Sequence, residues 1–145
     1  MKLADKTAII TGGGGGIGRA VSLRYAQEGA RCVVADVQLS LAEAVVKEIK
    51  SVGGSALAIS MDVTKQADID QTIQAAVDAF GQVDILFNNA AIFEMAPLLE
   101  SSRESYDRLF DINVKGMFFM MQAVAAHMVE KGIQGKIVNL SLIHI

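Results

Sequence analysis

The chain has one cysteine, one proline, two histidines, no long apolar segment and no cluster of basic residues. Each scarcity excludes something. A single cysteine, Cys32, cannot close an internal disulfide, which fits a reducing compartment. His127 and His144 stand without metal-ligand company, so no zinc site is expected. A duplex-binding surface announces itself with clustered Lys and Arg, and a net charge of −3 without such clusters predicts no nucleic-acid partner. The N-terminus carries Lys2 and Asp5 and lacks the apolar core of a secretory signal. The longest apolar-rich stretch, near 112–129, is broken by Asn113, Lys115, Gln122 and His127, so no membrane span is expected. These absences lead to the expectation of a soluble cytoplasmic protein.

What is present is a chain of 145 residues, one domain or a piece of one, with 52% hydrophobic residues, enough to bury a core and too many for a disordered chain. Short apolar runs alternate with helical patterns. The pattern predicts strands at Thr7–Thr11, Arg31–Asp36, Ser55–Met61, Val83–Asn88 and Lys136–Leu140. It predicts helices at Ile17–Glu28, Leu41–Val52 and Ala67–Phe80, closed by Gly29, by Gly53 with Gly54, and by Gly81. Pro97 interrupts. Ser101 and Glu104 have capping-box spacing and open a long helical stretch that runs to Lys131 and Gly132. The runs Ala8-Ile9-Ile10, Val33-Val34-Ala35 and Ile85-Leu86-Phe87 are apolar throughout, as in strands covered on both faces. Strict β-α alternation of this kind predicts an α/β, doubly wound parallel sheet with right-handed crossovers.

In such a sheet a ligand lies at the carboxyl ends of the strands. The stretch Gly12–Gly18 follows the first strand there. Glycines let the backbone turn tightly and approach a pyrophosphate, and the next helix begins with free N–H groups and a partial positive charge. Five consecutive glycines fit several registers, but context sharpens the reading. A strand precedes them, a helix follows, and Asp36 ends the second strand 18 residues past Gly18. A carboxylate there accepts both ribose hydroxyls of NAD and repels the 2′-phosphate of NADP. No Arg or Lys lies in positions 12–16 to attract that phosphate, so NAD is the expected cofactor.

Thr11-Gly12-x-x-x-Gly16-Ile17-Gly18 resembles the cofactor motif of the short-chain dehydrogenase/reductase family. Asp62-Val63 resembles the family's adenine contact after the third strand. Asn88-Asn89-Ala90-Ala91 resembles its Asn-Asn-Ala-Gly segment, with Ala91 in place of the glycine. Asn113 with Gly116 resembles its Asn-x-x-Gly. The resemblance covers Lys6 to Asn139, and the stretch from Asn88 to Gln122 is most similar to the sorbitol (polyol) dehydrogenase branch. It implies a Rossmann fold, NAD as cofactor, a polyol or ketose as substrate, and a homodimer or homotetramer. It implies cofactor contacts at Gly12, Gly15, Gly16, Ile17, Gly18, Asp36, Asp62, Val63, Asn89, Ala90 and Ala91, and a catalytic role for Asn113, holding a water in a proton relay. These also have plainer readings: the glycine run as a flexible turn beside a solvated Asp36, Asp62 as a cap on the turn into the third helix, Asn88 and Asn89 as closers of backbone bonds at the strand end, and Asn113 as a polar residue facing solvent. Met117, Met120, Met121 and Met128 read as helix packing or a dimer surface. Acetoin, hydroxysteroid and ketoacyl dehydrogenases share the motifs. A methyltransferase shares the glycine loop but not the Asn segments, and a non-catalytic NAD-binding module remains open.

The resemblance also implies residues that the chain lacks. The family's base is a Tyr in a Tyr-x-x-x-Lys pair, whose Lys lowers the Tyr pKa. Tyr25 is followed four residues later by Gly29 and Tyr106 by Phe110. The family's Ser comes three residues after the strand Asn; here Asn139 leads to Leu142, with Ser141 one position early. The last six residues, Leu140–Ile145, match the translation of CTGTCTCTTATACACATC, a transposase mosaic end used in sequencing adapters. The expectation is a cofactor-binding domain over 1–139, incomplete after its fifth strand, with an adapter-derived tail over 140–145.

Overall fold

The computed structural model describes residues 1–141. Five parallel strands form one sheet: β1 (Thr7–Thr11), β2 (Arg31–Asp36), β3 (Ser55–Ser60), β4 (Ile85–Asn88) and β5 (Lys136–Asn139), in the order β3-β2-β1-β4-β5. The order reverses at β1. Chain growth runs outward to β3, then returns past β1 to β4, and the crevice this opens at the strands' carboxyl ends is where such sheets bind ligands. The helices are α1 (Gly16–Gln27), α2 (Leu39–Ser51), α3 (Gln66–Phe80), α4 (Arg103–Phe110) and α5 (Met117–Glu130).

The continuously apolar strands are explained by two cores. Adjacent strand residues point to opposite faces. Ala8, Ile10, Val34 and Phe87 therefore meet α1 and α2 through Tyr25, Val45 and Ile49, while Ile9, Val33 and Leu86 meet α3 and α5 through Ile69, Ala76, Met120 and Val124. Both faces are covered, and Ile9, Ile10, Val33, Val34 and Leu86 are fully buried. Each such side chain contributes about 1.5–3 kcal/mol by leaving water. The helices stop where glycines allow it. At Gly81 the backbone takes φ +90°, and its N–H closes the last turn on the Val77 carbonyl at 2.7 Å.

Three expectations are corrected. The cap of α4 is Ser102, whose Oγ accepts from the Ser105 N–H at 3.0 Å, not Ser101; Ser101 instead donates to the Pro97 carbonyl beside the short 3-10 turn Leu98–Glu100. The long helical stretch is three segments, because a π segment, Asp111–Gly116, separates α4 from α5. Its wider turn holds Asn113, which bonds a loop outside the helix. β3 ends at Ser60, and the Met61 side chain, expected in the strand, packs into the core below α3 and α5. Of the six residues read as a tail, 142–145 lie outside the described residues; Leu140 donates its N–H to the Asn88 carbonyl at 3.0 Å.

Candidate functional site

The ends of β1 and β4 are stapled together. Thr11 Oγ1, buried, accepts from the N–H groups of Asn89 and Ala90, both at 3.0 Å. Asn89 returns the bond, its Nδ2 donating to the carbonyls of Thr11 (3.1 Å) and Gly12 (3.0 Å). These four bonds fix the departure of the glycine loop from the sheet. Beside it opens a cavity of about 580 Å³, lined by the loop, the ends of β2 and β3, the segment after β4 and one face of α4 with the π segment.

The glycines divide into two kinds. A Cβ on Gly12, at φ +60°, would lie 2.9 Å from Asn89 Nδ2, and one on Gly18 would lie 2.1 Å from the Gly12 carbonyl oxygen. Only glycine lets the loop fold back on itself there. A Cβ on Gly15 or Gly16 would meet nothing within 4 Å. These two line the cavity with the half-exposed Ile17, at the N-terminus of α1, where backbone N–H groups are free to meet an anion. This cradle fits a phosphate-bearing ligand.

Asp36 ends β2 on the cavity wall. Its Oδ2 accepts from the Gly14 N–H and its Oδ1 from the Gln38 N–H, each at 3.0 Å. Each carboxylate oxygen has a further lone pair, so Asp36 can brace the loop and still accept from a ligand hydroxyl. Asp62 and Val63 line the same cavity beyond β3. Asp62 also caps its own turn: Oδ1 accepts from the Thr64 N–H (3.0 Å) and hydroxyl (2.7 Å), and these bonds, with Lys65 nearby, hold its carboxyl below the usual range. Asn113 Oδ1 accepts from the Ile92 N–H at 2.9 Å and its Nδ2 donates to the Ile92 carbonyl at 2.8 Å. The side chain therefore joins the π segment to the segment that follows Ala91.

Residues 6–144 match the family model of the short chain dehydrogenases. The chain belongs to that family. Its members are oxidoreductases that use a nicotinamide dinucleotide. The chain is 52% identical to a sorbitol dehydrogenase of Cereibacter sphaeroides over 97% of its own length and 54% of the relative's. It is 43% identical to a galactitol 2-dehydrogenase of Agrobacterium fabrum, with the same coverage of 97% and 54%. A solved short-chain dehydrogenase/reductase from Mycobacterium marinum superposes with a TM-score of 0.91 at 38% identity, covering 94% of this chain and 54% of that one. The chain spans about half the length of the curated relatives it matches.

Every cofactor contact expected from the sequence except Gly18 lines this cavity. Gly18 is buried, and its lack of a side chain serves close packing on Gly12. Asn113 is also absent from the cavity wall, and its amide is not turned to solvent but is engaged on Ile92. Of the two readings of Asp62, the turn cap is present, and the carboxylate still lines the cavity. Sequence reasoning missed Thr11 as the staple of the loop; a polar residue closing an apolar strand was the available signal. It also missed Arg108, on α4, which lines the cavity; no local pattern marks it.

Several titratable groups away from the cavity belong to the packing of the fold. Asp84 is buried and accepts from the Thr7 N–H (2.9 Å), Gln82 Nε2 (2.8 Å) and Lys6 Nζ (3.2 Å), tying the start of β1 to β4. Burial pushes the Cys32 thiol up to about 12, as expected of an inert strand residue. His127 Nε2 accepts from the Val83 N–H at 3.3 Å. Among the described residues no group of His, Cys, Asp and Glu could hold a metal ion, and His144 lies outside them. No helix among the described residues is long and apolar enough to cross a membrane. Tyr25 packs edge-on against Phe87, and burial raises its pKa, the opposite of what a base needs.

Proposed function

We propose that the chain forms the NAD-binding part of a cytoplasmic dehydrogenase that interconverts a polyol and its ketose, assembled as a homodimer or homotetramer. The observation that carries the cofactor choice is Asp36 on the cavity wall, with lone pairs left for two ribose hydroxyls and a charge that repels a 2′-phosphate. Two polyol dehydrogenases at 52% and 43% identity support the substrate class over the diacetyl reductase of Staphylococcus epidermidis at 40%.

When bound, the nicotinamide supplies the hydride acceptor. The chain's own residues would hold the dinucleotide: Gly15, Gly16 and the first turn of α1 its phosphates, Asp36 its ribose, and Asp62 and Val63 its adenine. Asn113 fixes the segment after Ala91 through Ile92. Its oxygen keeps a second lone pair and its Nδ2 a second proton, enough to hold a water for the relay. Neither Tyr25 nor Tyr106 has a Lys four residues on, so the 145-residue chain binds cofactor without turning over sorbitol.

The test is to titrate NADH and NADPH into the wild-type chain and Asp36→Asn. NADH binds at least about tenfold tighter to the wild type, and Asp36→Asn closes the gap by lifting the charge repulsion. Tighter binding of NADPH by the wild type would overturn the cofactor reading. Oxidation of sorbitol above background by the chain alone would overturn its lack of turnover.

A further inference from the structure

The cavity wall is electrically lopsided. Asp36 and Asp62 place two carboxylates on it, and Arg108 is the one cation among its described lining residues. A dinucleotide adds its own negative pyrophosphate. Backbone N–H groups at the start of α1 offer only partial charges, so full positive charge comes from Arg108 alone.

Arg108 is not free. It lies on α4 one turn before Ile112, and both side chains line the cavity. Its Nη1 is 3.3 Å from Glu94 Oε1, on the segment that follows β4. The other oxygen of Glu94 accepts from the Ser105 hydroxyl. Ser105 thus holds the carboxylate where it meets the guanidinium. The Arg108–Glu94 pair is solvent-exposed and single-pronged, a geometry worth little in stability and easily exchanged for a better anion. Four of the guanidinium's five N–H donors remain for one.

We propose that Arg108 is a cofactor-binding residue and that Glu94 is its competing anion, which holds the guanidinium at rest and yields it to the pyrophosphate of the dinucleotide. The inference rests on the cofactor reading above and adds to it a residue outside the glycine loop. It makes an opposed prediction for two residues in contact. Removing the cation weakens binding, and neutralising Glu94 strengthens it, because the guanidinium no longer has to leave a partner. A clasp that merely tied the segment after β4 to α4 would lose affinity with either change.

The experiment follows NADH emission, excited directly in the nicotinamide band, as the ligand is titrated into the chain and its variants. Wild type, Arg108→Gln, Arg108→Lys and Glu94→Gln are compared at about 0.02 M and about 0.5 M NaCl. Melting curves without ligand establish that each variant is folded. The expected result at low salt is a Kd raised about fivefold in Arg108→Gln, near wild type in Arg108→Lys and lowered about twofold in Glu94→Gln, with all differences shrinking at high salt. A wild type that binds NADH, with Arg108→Gln and Glu94→Gln both weaker or both unchanged, overturns this inference alone. A folded wild type that binds no NADH overturns the cofactor reading and this inference with it.

Discussion

Strands β2 and β5 belong to one parallel sheet and are similar in sequence, Arg-Cys-Val-Val-Ala-Asp against Lys-Ile-Val-Asn, yet they differ in environment. β2 lies between β1 and β3 with helices over both faces, and its four central residues are buried. β5 pairs with β4 alone among the described strands, and Val138 is 40% exposed. A β-branched run specifies an extended chain, but the number of neighbours decides what that chain buries. The same contrast separates the two sides of the cavity. The glycine loop is pinned by four half-buried bonds between Thr11, Gly12, Asn89 and Ala90, whereas the segment after β4 is tied by two bonds from Asn113 and the exposed Glu94–Arg108 pair and displays Phe93 and Met95 to solvent.

The sharpest way to break the comparison is a truncation at the centre of the sheet. Ile9→Ala, beside β2, removes a fully buried side chain from the face that packs on α3 and α5, and the expected loss is about 3 kcal/mol in a urea melt. A loss below about 1 kcal/mol would mean that the central strands are not tightly packed. A second test uses Cys32 on β2. Its folded pKa is raised, so the neutral thiol is favoured by folding. That stability is complete below the unfolded thiol's pKa and is lost as pH rises from there toward about 12. Unfolding free energy therefore falls by roughly 1 kcal/mol per unit between about pH 9 and 11, and Cys32→Ala removes that part of the slope. Tyr25, also raised by burial, contributes a residual slope above the usual tyrosine range in both proteins. The smallest effect belongs to β5: Val138→Thr changes stability by no more than about 0.5 kcal/mol, since the side chain already meets solvent. A larger loss would show Val138 to be covered in solution.

Legibility in the sequence follows the same division. The five strands, the helix-ending glycines and the place of Asp36 were readable because each is announced by residues adjacent in sequence. The boundary errors are small shifts of that kind. Ser101 and Ser102 both satisfy a serine-first capping pattern, and only the path out of the 3-10 turn selects Ser102. The π segment was unreadable, because its partner, Ile92, lies 21 residues from Asn113. The difference between Gly15 and Gly18 was likewise hidden. Both are glycines in one run, and what separates them is Gly12 folding back beneath the second. Arg108 and Glu94 are unremarkable charges until the fold pairs them, Arg108 on the cavity wall and Glu94 on the segment after β4.

Asp36 carries a consequence for redesign. Its carboxylate is at once a cofactor-reading group and the acceptor that holds the Gly14 amide in place. Replacing it by arginine, to welcome a phosphorylated ribose, would strip the glycine loop of a brace in the same stroke. Mutational routes between the two cofactor preferences are therefore coupled to loop order, and the passable ones run through side chains such as asparagine or serine that shed the charge but keep an oxygen for Gly14.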